Sequence, residues 1–139
     1  MRIVGWGQVI IGTAIAALWL LLVATGQVPE IDEGHMGIWF HIAAELLLAT
    51  VLIAAGLALL RRRARARLLS ALALGALGYS AVNSPGWYAE RGEWAMVGLF
   101  ALVVCATVAA FGWVWRSALD AQDPDPNVLN PRGTTPEGP

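Results

Sequence analysis

His41 and Glu45 stand four residues apart within the otherwise uncharged stretch Gly37 to Leu60. On a helix that spacing puts both side chains on one face. Tyr79 and Asn83 repeat the spacing in the stretch Leu68 to Asn83. An imidazole, a carboxylate, a phenol and an amide brought together can bind a ligand or pass a proton. The competing reading is structural: a satisfied hydrogen-bond network that fixes the register of two helices. In either case Glu45 needs a partner, because a charged group in hydrocarbon costs roughly 2.5–3.5 kcal/mol on insertion scales. If the two stretches are neighbours, the four groups converge on one shallow pocket. His35, Met36, Tyr88 and Met96 would then form its rim.

The elements that must position these groups are four long apolar runs. The chain is 58% hydrophobic with a mean hydropathy of +0.62, far from a soluble average. A bilayer core of about 30 Å needs about 20 helical residues. The runs predict spanning helices at about 3–25, 37–60, 68–83 and 94–115. The third is short, and Arg65 and Arg67 can extend it by reaching for headgroups with their guanidinium groups. Ser84-Pro85-Gly86 ends it, since proline cannot continue a helix. The reading is an all-α integral membrane protein, a four-transmembrane-helix bundle over residues 1–116. Residues 117–139, rich in Pro, Asp and Gly, read as a disordered cytoplasmic tail. The first run resembles a signal peptide in having Arg2 before it and small residues near Ala24. Its length, and the spans that follow, favour a retained helix.

Orientation follows from the arginines, which supply all nine basic residues. With the N-terminus inside, Arg2, the hinge run Arg61, Arg62, Arg63, Arg65 and Arg67, then Arg116 and Arg132, all face inward. The outer loops hold Arg91 against Glu30, Asp32, Glu33, Glu90 and Glu93. Every loop obeys the positive-inside rule, so both termini are expected in the cytoplasm of a multi-pass protein of the bacterial inner, or plasma, membrane. So strong a bias argues against dual topology. Trp6, Trp113 and Trp115 then fall at the inner interface and Trp39, Trp87 and Trp94 at the outer, where amphipathic rings anchor.

Helices associate in lipid by close packing of small residues. Gly98, Ala101, Cys105, Ala109 and Gly112 form one such stripe on the last helix. Gly5, Gly12 and Ala16 form another on the first, and Ala71 and Gly75 lie in line with Tyr79 and Asn83. These small faces are expected to turn inward or to meet a partner, with Cys105 as a packing residue.

Other chemistries are weaker. A lone cysteine excludes an internal disulfide and a CxxC pair. The two histidines, His35 and His41, sit on one segment, so they cannot join two helices through a haem. His41 with Met96 remains a weak haem pairing. Asp32, Glu33, His35 and His41 can in principle hold a metal, but a solvated acidic loop accounts for them better. There is no phosphate loop, nucleophile elbow or zinc-protease motif. The hinge arginines can bind anionic lipid headgroups, each contributing on the order of 1 kcal/mol. Nucleic acid is not an expected partner of a membrane loop this short. In size and helix count alone the chain resembles small bacterial four-helix membrane proteins, including the DoxX-like group.

The expected function is a non-enzymatic accessory or assembly subunit of a membrane complex. Two alternatives stand beside it. One is a small homo-oligomeric transporter or channel with a proton- or ion-coupled site at His41 and Glu45. The other is a quinone- or redox-linked protein, in which His41, Glu45 and Tyr79 bind a quinone headgroup.

Overall fold

A computed structural model describes residues 1–120. Four long helices carry the fold: α1 (Arg2–Ala24), α3 (Met36–Leu60), α4 (Ala66–Asn83) and α6 (Trp94–Asp120). Two short ones, α2 (Pro29–Asp32) and α5 (Pro85–Glu90), sit in the loops, and no strand occurs among the described residues. Three helices, α1, α3 and α6, are long and apolar enough to cross a membrane. The shorter α4 is not among them, because Arg67, Ser70, Tyr79, Ser80 and Asn83 dilute its apolar content within 18 residues.

Several boundaries differ from the sequence reading. Pro85 does not merely end α4. It opens α5 at the first helical position, where its missing N–H costs nothing. Pro29 does the same for α2. The α4 helix starts two residues early, at Ala66. The α6 helix runs on through Arg116 to Asp120, taking in the first four residues of the segment read as tail. The rest of that segment lies outside the described residues.

The α3 helix closes with a Schellman motif, in which Arg62 N–H donates to Leu59 O at 3.1 Å and Arg63 N–H to Ala58 O at 3.0 Å. That motif needs a left-handed residue, and the usual glycine is replaced by Arg62 at φ +50°. Arg65, at φ +62°, is left-handed too. Each costs about 1 kcal/mol, so the hinge keeps its charge at the expense of backbone comfort.

The tightest packing joins α1 to the antiparallel α3. Gly5 faces Gly56, and seven residues on, Gly12 faces Ala49. A Cβ at Gly56 would stand 2.5 Å from the Gly5 carbonyl oxygen, and one at Gly12 only 2.7 Å from that of Ala49. The backbones are in contact, as close-packed membrane helices require. In this register Ala16 falls level with Glu45. The edge-to-face pair of Trp19 and His41, centroids 5.4 Å apart, agrees with it.

The α4 helix packs between α3 and α6. One buried cluster joins Val4, Leu59, Ala71, Leu74 and Val114 from all four long helices. A second joins Leu48, Leu52 and Ala55 of α3 to Ala73 and Leu77 of α4. Gln8 and Ser70, both buried, tie α1 to α4 reciprocally. The Gln8 amide donates to Ser70 O, and Ser70 Oγ donates to Gln8 Oε1, each at 3.1 Å.

The small stripe of α6 does not turn inward. Gly98, Ala101, Cys105 and Ala109 are exposed, and a Cβ at Gly98 would meet nothing within 4 Å. The helix meets α4 by another face, burying Thr107 and Val114. Spacing shows which residues share a face, but not which face a neighbour takes.

Gly56→Ala and Gly12→Ala should each lower stability by about 1–3 kcal/mol, the usual cost of overpacking. Gly98→Ala should be neutral within about 0.5 kcal/mol. Reversible unfolding in mixed micelles measures all three, and equal losses would contradict the assigned contact.

Candidate functional site

A cavity of about 390 Å³ opens between α3 and α4. His41, Ala44, Glu45 and Leu48 line it from α3; Ala76, Tyr79, Ser80 and Asn83 line it from α4, with Ser84 just beyond. The structure thus brings His41, Glu45, Tyr79 and Asn83 to one cavity. The facing stripe on α4 runs 76, 79/80, 83/84, the helical repeat of three and four residues.

Glu45 is half-buried, while His41, Tyr79 and Asn83 are exposed along the opening. The carboxylate has a partner absent from the sequence reading: Ser80 Oγ donates to Glu45 Oε1 at 2.5 Å. Ser84 Oγ in turn donates to Ser80 O at 2.9 Å, satisfying a carbonyl at the end of α4. A signal for Ser80 was present in the sequence. A carboxylate within so apolar a run requires a donor, and Ser80 lies on the same α4 stripe as Asn83 and Ser84.

The expected rim is not there. His35 caps the start of α3, and its Nδ1 lies 3.3 Å from Glu33 Oε2. Met36 is exposed beside it. Tyr88 packs against Phe100 and Trp87, with centroids 5.6 and 5.0 Å apart. Met96 belongs to α6, which packs on α4 and α5 rather than over the cavity. None of the four lines the cavity, so His41 and Met96 are not assembled as a ligand pair. Among the described residues, His, Cys, Asp and Glu side chains nowhere gather in threes as a metal site would need. The hinge residues Arg61, Arg62, Arg63, Arg65 and Arg67 are all exposed, at the opposite end of α3 from His41.

A family model described as "Domain of unknown function (DUF8058)" matches residues 1–123. The chain belongs to this family. The family match takes in every described helix, and therefore both walls of the cavity. Comparison with curated proteins and with solved structures gives no match.

The site makes an energetic prediction. Glu45→Ala and Ser80→Ala, alone and combined, should give a coupling energy of about 1 kcal/mol in a double-mutant cycle, within the range for hydrogen bonds between membrane helices. Strict additivity would show that the two side chains do not meet.

Proposed function

We propose that the protein is a four-span membrane module with both termini on the cytoplasmic side, serving as a non-enzymatic accessory or assembly subunit. Three things support the topology. Eight of the nine arginines fall on one side of such an arrangement. The α4 helix, at 18 residues and about 1.5 Å per residue, is some 27 Å long and close to the hydrocarbon thickness. Its serines are hydrogen-bonded, Ser70 to Gln8 and Ser80 to Glu45, and Tyr79 and Asn83 lie at its C-terminal end.

The observation that carries the subunit reading is an unclosed side. The long helices run α1, α3, α4, α6 as successive neighbours. Between α1 and α6 lies an apolar groove of about 330 Å³, walled by Gly7 and Ile11 on one side and by Ala106, Ala109 and Ala110 on the other. Small residues on both walls suit the close approach of another helix, as Gly5, Gly12 and Gly56 do inside the molecule. The outward stripe of α6 continues that surface.

A second reading is favoured by the cavity between α3 and α4: a homo-oligomeric transporter or channel using His41 and Glu45. In that case the groove between α1 and α6 would receive another copy of the chain.

Cys105, the sole cysteine, is exposed on the α6 stripe and reports on this surface. A photo-crosslinking amino acid placed at position 105 and irradiated in native membranes should yield an adduct containing a different membrane protein. An adduct of twice the chain's own mass favours the oligomeric reading. Uncrosslinked protein alone, or adducts with lipid only, would count against both.

A further inference from the structure

The cavity between α3 and α4 has a chemical bias that narrows what it can bind. Glu45 is the only acidic residue in α3, and among the described residues it forms no ion pair. Its one hydrogen-bond donor is neutral, Ser80 Oγ. No arginine lines the cavity. Arg91, in the outer loop after α5, is already engaged: its guanidinium lies 3.4 Å from the Trp87 ring centroid and donates to Trp87 O at 3.3 Å. The His41 ring is held edge-on by Trp19 of α1.

The remaining polar lining can accept as well as donate. The second Glu45 oxygen, the Tyr79 hydroxyl, the Asn83 carbonyl and the Ser84 hydroxyl can all accept. A phosphate or a carboxylate would be repelled by the Glu45 carboxylate, and a neutral carbonyl, although it could accept from Tyr79, Asn83 or His41, would leave the second Glu45 oxygen without a donor. An ammonium group with three N–H donors matches the lining, and the exposed Tyr79 ring adds a face for a cation. Ala44, Leu48 and Ala76 complete an apolar wall beside these groups. In the four-span arrangement proposed above, on which this inference rests, the opening faces lipid, so a hydrocarbon tail can leave the cavity without crossing protein.

We infer that this cleft binds the primary ammonium group of an amphiphile, with Glu45 as its counter-ion and the tail passing over Ala76 into lipid. The site is separate from the groove between α1 and α6 and stands whether or not that groove takes a partner. The ammonium can belong to a free long-chain amine or to an ethanolamine headgroup.

The test is equilibrium binding of dodecylammonium to the full-length protein in phosphatidylcholine nanodiscs, with empty nanodiscs subtracted. Saturable binding is expected. It should weaken roughly tenfold or more in Glu45→Gln, the scale of one charged hydrogen bond. Ala76→Leu, which fills the cleft and spares the Glu45–Ser80 pair, should weaken it similarly. Dodecyltrimethylammonium, which cannot donate, should bind at least tenfold more weakly than the primary amine. Displacement by phosphatidylethanolamine in the disc would identify the lipid headgroup as the source, and its absence a free amine; both support the ammonium site. Non-saturable uptake, wild-type affinity in Ala76→Leu, or equal affinity for the quaternary amine would each overturn the inference. If Glu45→Gln does not fold, Ala76→Leu and the quaternary amine still decide it.

Discussion

Hydrocarbon offers no hydrogen bonds, and in the proposed four-span arrangement that constraint falls hardest on α4. Ser70, Tyr79, Ser80 and Asn83 lie on one helix. Lipid alone would leave them unsatisfied. The fold answers for the two serines by placing α4 between α3 and α6 and by supplying each with a partner. Ser70 meets Gln8 of α1 near the arginine hinge, and Ser80 meets Glu45 of α3 at the other end. These two polar links pin the register of α4 at two heights. Leu74 and Leu77 pack between them. The same arrangement creates the cavity, since a helix carrying polar groups toward α3 leaves space where apolar side chains would have filled it.

The contact between α1 and α3 makes that arrangement rigid. With Gly5 against Gly56 and Gly12 against Ala49, the two backbones have no freedom to slide. One consequence reaches the site directly. The register sets Trp19 against His41, so α1 braces the imidazole although it contributes nothing to the cavity lining. The α6 helix has no comparable anchor. It buries two residues and leaves its small-residue stripe outside. Tight packing on one flank and an open groove on the other give the molecule two unlike sides.

Much of this was legible in the sequence because the membrane simplifies the code. Long apolar runs mark α1, α3 and α6, and the four-residue spacings mark the faces of α3 and α4 that meet at the cavity. What was hidden has specific physical causes. The α2 and α5 helices span four and six residues, too short for any periodicity, and each begins with a proline that reads equally well as a stop. Apolar content fades after Trp115, but Arg116 to Asp120 are still helical; helicity and lipid solubility are different properties. The Ala49–Gly56 half of the α1–α3 contact lay inside an unbroken apolar run, where nothing distinguishes a packing residue from a lipid-facing one. Ser80 carries little signal beside the larger polar groups Tyr79 and Asn83, although a small hydroxyl is what fits against a half-buried carboxylate.

The four-span arrangement with both termini on one side requires α4 to cross the membrane along with α1, α3 and α6. In a Cys105→Ser background, single cysteines at Arg63→Cys and Glu90→Cys flank α4 alone among the long helices. Labelling intact cells with a membrane-impermeant maleimide tests the point directly. The cysteine at position 90 should react at once, and that at position 63 only after the cytoplasmic face is opened. Reaction of both from the same side would make α4 a non-spanning helix and contradict the proposed four-span topology.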